Sequence, residues 1–178
     1  MTFQVTRRLY ENGLLFKSNL QTFNIISYFG AYLYYPMVTL AILCEVPALL
    51  SGSINYNMKL ANFLTFNHIV GCLLFATFWW LEFSSHLILV NLRKGRSGGH
   101  YIPRGQLFEY VSSPHYFAEI IVYLAIIVVL GGQSVSWWLL TLFVWVYMSF
   151  LALHKHQWYL AKFKTYPSQR KAIIPFLL

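Results

Sequence analysis

The chain has 178 residues, 58% of them hydrophobic and only 10% charged, with a mean hydropathy of +0.54. So few charges cannot cover the surface of a soluble domain of this length, and 19% aromatic residues suit a protein with ring-rich membrane interfaces. The formal charge of +8 comes from basic residues set beside apolar runs, which favours anionic lipid head groups or a phosphorylated cofactor and argues against nucleic acid.

Residues 1–17 are mixed, and Arg7, Arg8, Glu11 and Lys17 read as the solvent end of a helix or amphipathic segment. The opening MTFQVTRRLYE lacks the contiguous apolar core of a signal peptide. Residues 18–44 carry no charge, and about 20 residues of helix span a hydrocarbon core. Pro36 is a possible kink in that helix, and residues 45–58 read as a loop punctuated by Gly52, Ser53 and Asn55. A second long helix is expected from about Leu60 to Asn91, with Glu82 inside it, followed by the glycine-rich loop RKGRSGGHYIPRGQ.

The stretch Phe108–Leu130 organises the chain. It sets a polar cluster (Glu109, Tyr110, Ser112, Ser113, His115, Tyr116, Glu119) in front of an apolar run. Pro114 suits the first turn of a helix, with Ser112 or Ser113 as cap. Gly131 and Gly132 should break that helix, and Ser134 or Ser136 should cap the next, roughly Val135 to Leu153. Residues 154–174 read as a basic, aromatic tail, and the final PFLL as a segment able to pack back.

With spans near 20–43, 60–82, 115–130 and 135–153, Lys59 falls on one side. The other twelve of the thirteen Lys and Arg fall on the opposite side, which the positive-inside rule places in the cytosol. The fold class expected is all-α, a multi-pass transmembrane helical bundle. Cys44 and Cys72 lie in apolar runs and show no pairing pattern.

Three polar groups converge on the cytosolic ends of these spans. They are Glu82 to Arg93 with His86, Tyr110 to Glu119 with His115, and His154 to Lys164 with Lys155, His156 and Tyr159. Ionisable residues at membrane depth are costly and tend to face a bundle interior or a cavity. Plainer roles exist for each: a helix-locking contact for Glu119, an interfacial hydrogen bond for His86, surface roles for His154 and His156, and a lipid-facing basic tail. The histidine spacing fits no standard metal site, and there is no G-x-S-x-G and no G-x-G-x-x-G. Residue chemistry alone stops at a membrane enzyme or lipid-binding protein with a cytosol-facing polar pocket.

LFEYVSSPHYFAEI (107–120), preceded by YIPRG (101–105) and followed by HKHQWYLAKFKTYPSQRKAIIPFLL (154–178), resembles the carboxyl-terminal half of the steroid 5-alpha-reductase family. HLILVNLRKG (86–95) and RRLYE (7–11) are similar to its polyprenol (polyprenal) reductase branch, so the resemblance runs through nearly the whole chain, 1–178. The resemblance implies an endoplasmic reticulum membrane enzyme, carrying about four spans of a seven-helix reductase fold, with its cofactor side and C-terminus cytosolic. It implies NADPH as cofactor, held between the helices, and a polyisoprenoid lipid as substrate. The reaction implied is saturation of the alpha-isoprene double bond, for dolichol synthesis and N-glycosylation.

Carried over by position, the asparagine-or-histidine of the family's Y-V-S-x-x-(N/H) motif, which opens at Tyr110, falls on His115. The cofactor-pocket glutamate falls on Glu119, the acid-or-histidine before the Leu-Arg pair on His86, and the phosphate-contacting arginine on Arg93. The carboxyl-terminal histidines and tyrosine fall around Lys155, His156 and Tyr159. These eight positions are the expected cofactor-binding residues; no catalytic residue is assigned and no metal is expected. The chain departs from the family at Lys155, where steroid reductases have histidine, and at Glu82, where an uncharged amide is usual. The family's substrate-polarising tyrosine falls near Gln4, and its chains are longer, so this sequence is expected to be truncated at its N-terminus. The alternatives are an inactive lipid-binding or regulatory membrane protein, a steroid reductase, and an isoprenylcysteine-type methyltransferase. The last would need an R-H-P motif and a later Glu-Glu pair, both absent.

Overall fold

The computed structural model describes residues 25–50, 65–93 and 100–177, with the side chains of 25–31, 45–50 and 93 outside the description. These residues form four α-helices: α1 Ile25–Leu50, α2 Phe66–Arg93, α3 Pro114–Val129 and α4 Val135–Lys162. A 3-10 turn, Gln106–Glu109, leads into α3. The described part is all-α, and two helices, Phe66–Leu92 and Val135–Lys162, are long and apolar enough to cross a membrane. Tyr32–Cys44 and Pro114–Val129 are shorter apolar helical stretches.

The order of packing is α2 on α3, α3 on α4, and α4 on α1. The α2–α3 contact is tight because Gly71 has no side chain. A Cβ there would sit 2.5 Å from Val129 Cγ2 and 3.0 Å from the Ala125 carbonyl oxygen. Small residues let helix backbones approach in this way where no hydrophobic driving force operates between helices. Ile120, Tyr123 and Ile127 of α3 meet Trp137, Leu140 and Val144 of α4 in the core. From α1, Tyr34 hydrogen-bonds the Tyr123 hydroxyl and packs edge-on against its ring. Leu33, Leu40, Leu73, Leu139, Leu142 and Val146 remain exposed, as apolar side chains on a lipid-facing surface would be.

Local chemistry sets most helix ends. Pro114 occupies the first position of α3, where a missing N–H costs nothing. Ser113 stands at the cap position, but its hydroxyl makes no capping bond. Gly131 (φ 68°) and Gly132 (φ 76°) adopt the left-handed backbone that ends α3, and Gly132 N–H donates back to the Ile127 carbonyl. Ser134 caps α4 by accepting from Trp137 N–H at 3.3 Å.

Three boundaries differ from the sequence reading. α1 continues through Pro36 and on to Leu50, so 45–50 of the expected loop is helical, and 51–58 lies outside the described residues. α2 begins at Phe66, with 60–64 outside the described residues, and runs uninterrupted past Glu82 to Arg93. α4 does not stop at Leu153 but extends to Lys162. Nothing between His154 and Lys162 breaks a helix, and the first proline beyond is Pro167. His154, Lys155, His156 and Tyr159 therefore stand on a helix rather than in a tail. The segment after it does pack back, but through buried Ala172 and Ile173, whereas Phe176 and Leu177 are exposed.

Candidate functional site

The polar ends of α2, α3 and α4 meet on one side of the bundle. α2 contributes Glu82, Ser85 and His86, all buried. α3 contributes His115 and, one turn further along, Glu119, which are 5% and 6% exposed. The His86 and His115 rings lie 5.2 Å apart, centroid to centroid, and His115 also contacts Tyr116 at 4.2 Å. α4 reaches the same place through Lys155, whose ammonium sits 5.3 Å from the centre of the Tyr116 ring. That distance is within range of attraction between a cation and an aromatic face. His86, His115, Tyr116 and Lys155 thus form a continuous line across three helices.

A second knot lies beside the first, around Ser112. Its hydroxyl is 2.6 Å from His156 Nδ1, 2.6 Å from the Tyr166 hydroxyl, and 3.2 Å from the Lys171 carbonyl oxygen. A carbonyl can only accept, so Ser112 donates to Lys171 O and accepts from the other two. This arrangement puts a proton of His156 on Nδ1. The backbone pairs here as well: Ser112 N–H donates to Lys171 O at 2.8 Å and Lys171 N–H to Tyr110 O at 2.9 Å. Tyr159 stacks on Tyr166 with ring centroids 5.2 Å apart and planes 8° from parallel.

Underneath lies Arg170, 1% exposed. Its Nη1 donates to the Pro103 carbonyl at 2.9 Å, and its Nη2 to Glu109 Oε2 at 3.2 Å. Its guanidinium carbon lies 5.4 Å from the centre of the Tyr166 ring. The other Glu109 oxygen accepts from Gly105 N–H at 2.6 Å. Gly105 has φ 93°, a backbone region that favours glycine. The Gly105 N–H bond holds the Glu109 carboxyl below its ordinary value, and the Arg170 and Arg104 charges act in the same direction.

The structure brings six of the eight expected residues into this region: His86, His115, Glu119, Lys155, His156 and Tyr159. Tyr110 is half exposed and packs against Phe176, 5.5 Å away. Arg93 ends α2, and its side chain lies outside the described residues, as do residues 94–99. His154 is exposed and His156 half-buried, as an i,i+2 pair on a helix should be. Sequence reasoning missed Arg170 and Tyr166, which it counted only as parts of a basic tail. It also missed an open depression of about 460 Å³ bordered by Leu92, His100, Arg104 and Phe163. The only signal for Arg170 was a charge standing close to apolar Ala172 and Ile173.

Ser113 Oγ is fully buried at the start of α3 and has no hydrogen-bond partner among the described residues. Such an atom costs free energy unless something fills its hydrogen bond. Lys155 supplies positive charge beside Tyr116 and His115, and Arg104 borders the depression that includes His100.

Residues 23–178 match the model of the 3-oxo-5-alpha-steroid 4-dehydrogenase family. Among individual proteins, the chain is 34% identical over 176 residues to a polyprenal reductase of Ailuropoda melanoleuca, covering 96% of this chain and 55% of that protein. It is 38% identical over 162 residues to a polyprenal reductase of Danio rerio, covering 87% of this chain and 51% of that one. It is 35% identical over 181 residues to a polyprenal reductase of Homo sapiens, covering 96% and 55% respectively. The chain spans about half the length of these relatives.

Proposed function

The chain belongs to the 3-oxo-5-alpha-steroid 4-dehydrogenase family, and from that premise we propose that it acts in NADPH-dependent reduction of the alpha-isoprene double bond of a polyprenoid. The substrate is polyprenal or polyprenol, the product serves dolichol synthesis and N-glycosylation, and the setting is the endoplasmic reticulum membrane. The domain is the carboxyl-terminal membrane domain of the family, crossing the bilayer four times with its polar end in the cytosol. The observation that supports this reading most is the line His86, His115, Tyr116, Lys155, which draws polar groups from three helices to one end of an otherwise apolar bundle.

NADPH, when bound, would supply the hydride for the β-carbon of a polyprenal's enal, and a proton taken up at the α-carbon would complete the saturation. The chain's own residues bind and orient. Arg93 and Lys155 would balance phosphate charge, and Ser113 would fill its open hydrogen bond. His86, His115 and Tyr110 would flank the cofactor, with Glu119 accepting hydrogen bonds deeper in α3. His156 and Tyr159 would close the α4 side, with His156 Nε2 free to accept or donate according to its protonation.

The test is an assay of the purified full chain in detergent or liposomes with NADPH and a polyprenal. Saturation of the lipid and matching NADPH consumption are expected. Absence of both NADPH binding and lipid reduction would overturn the reading in favour of a non-catalytic lipid-binding membrane protein.

A further inference from the structure

We propose that Arg170 is a positioning residue: by clasping Pro103 and Glu109 it seats the C-terminal segment so that Tyr166 holds Ser112, and Ser112 holds His156, at the mouth of the site. The inference rests on the proposed cofactor role of His156 for its functional meaning, but its geometry stands apart from that role.

A buried arginine is costly unless its donors are matched. Arg170 is the charged side chain most completely withdrawn from solvent in the C-terminal segment, and it reaches two separate chain stretches at once. One branch of the fork takes the Pro103 carbonyl, in the segment before the 3-10 turn. The other takes Glu109, at the end of that turn. Glu109 in turn ties back to Gly105, so the loop, the turn and the C-terminal segment close into one ring of contacts.

The guanidinium face lies over Tyr166, whose hydroxyl is one of the two groups donating to Ser112; the other is His156 Nδ1. Lys171, the next residue, is paired through its backbone to Tyr110 and Ser112. Arg170 therefore fixes both partners of Ser112 that come from the C-terminal segment. Loss of the clasp frees Tyr166 and the Lys171 carbonyl, and His156 loses its fixed acceptor. Lysine cannot replace this arginine, because a single ammonium lacks the planar fork that serves two acceptors at once.

The experiment compares the wild-type full chain with Arg170→Lys and Tyr166→Phe, purified in detergent. The first readout is the His156 imidazole signal in spectra of histidine-labelled protein, assigned with His156→Gln. Both variants should move that signal, while the His68 signal, on the far part of α2, stays in place. The second readout is kinetic. The KM for NADPH should rise about tenfold in both variants, with kcat within about threefold, as expected for a displaced binding group. Tyr166→Phe removes one hydroxyl and leaves the ring stack, so it separates positioning from loss of folding. An unmoved His156 signal in both folded variants overturns the proposal. A moved signal in a chain whose wild type binds no NADPH sustains the clasp and instead removes the cofactor reading.

Discussion

Replacing Gly71 tests the packing that places His86 against His115. The added Cβ of Gly71→Ala would lie 3.0 Å from both the Ala125 carbonyl oxygen and the Val129 backbone nitrogen, and 2.5 Å from Val129 Cγ2. Val129 can turn its side chain, but the two backbone atoms can move only if α2 and α3 part by several tenths of an ångström. Overpacking of this kind costs about 1–3 kcal/mol. Alanine also gains about 1 kcal/mol over glycine in a helix interior. The net expectation for Gly71→Ala is a loss of about 1 kcal/mol. Gly71→Val, which adds two more carbons at the same contact, should lose about 3 kcal/mol. In a chain of this size each kcal/mol lowers the midpoint of thermal unfolding by about 2–4 °C. Thermal unfolding of the detergent-solubilised chain measures both variants. A valine variant as stable as wild type would refute the close helix crossing, and with it the alignment of the α2 and α3 polar ends.

Ser112→Ala removes the acceptor for His156 and Tyr166 in a buried setting and should cost about 1–3 kcal/mol, measured by the same unfolding experiment. Ser134→Ala removes the α4 cap and should cost about 1 kcal/mol, without changing NADPH affinity. Lys155→Met keeps the aliphatic stem over Tyr116 but removes the charge, so it should weaken NADPH binding with little change in stability. The Glu109 carboxyl is held below its ordinary value of 4.5, so its contribution is present at neutral pH and lost as pH falls through the lowered folded value. Unfolding midpoints of wild type and Glu109→Gln should therefore differ above that window and converge below it.

The parts of the fold that depend on local backbone chemistry were legible in the sequence. Pro114 opens α3, Gly131 and Gly132 close it, and Ser134 caps α4, because each acts within a turn or two of itself. The His115–Glu119 spacing was equally readable, as both residues lie on one helix and are buried together. The length of α4 was misread because a run of charged and aromatic residues looks like a surface tail, although His154–Lys162 contains no residue that disfavours helix. Arg170 carried only a weak local signal, for a different reason. Its partner Glu109 is 61 residues away in the chain, and no local pattern tells which of the C-terminal basic residues will be buried. The meeting of His86 with His115 was expected from the topology, which sets the polar ends of both spans on one membrane side; the 5.2 Å ring contact depends on how α2 and α3 pack, which their sequences do not state.

The most direct measurement is NADPH binding to the intact chain, followed by its tryptophan fluorescence, for wild type, His115→Ala and Glu119→Gln. The account predicts saturable binding by the wild type and at least about a tenfold weaker affinity in each variant. Equal affinity in all three folded proteins would contradict a cofactor site at the shared polar end of α2, α3 and α4.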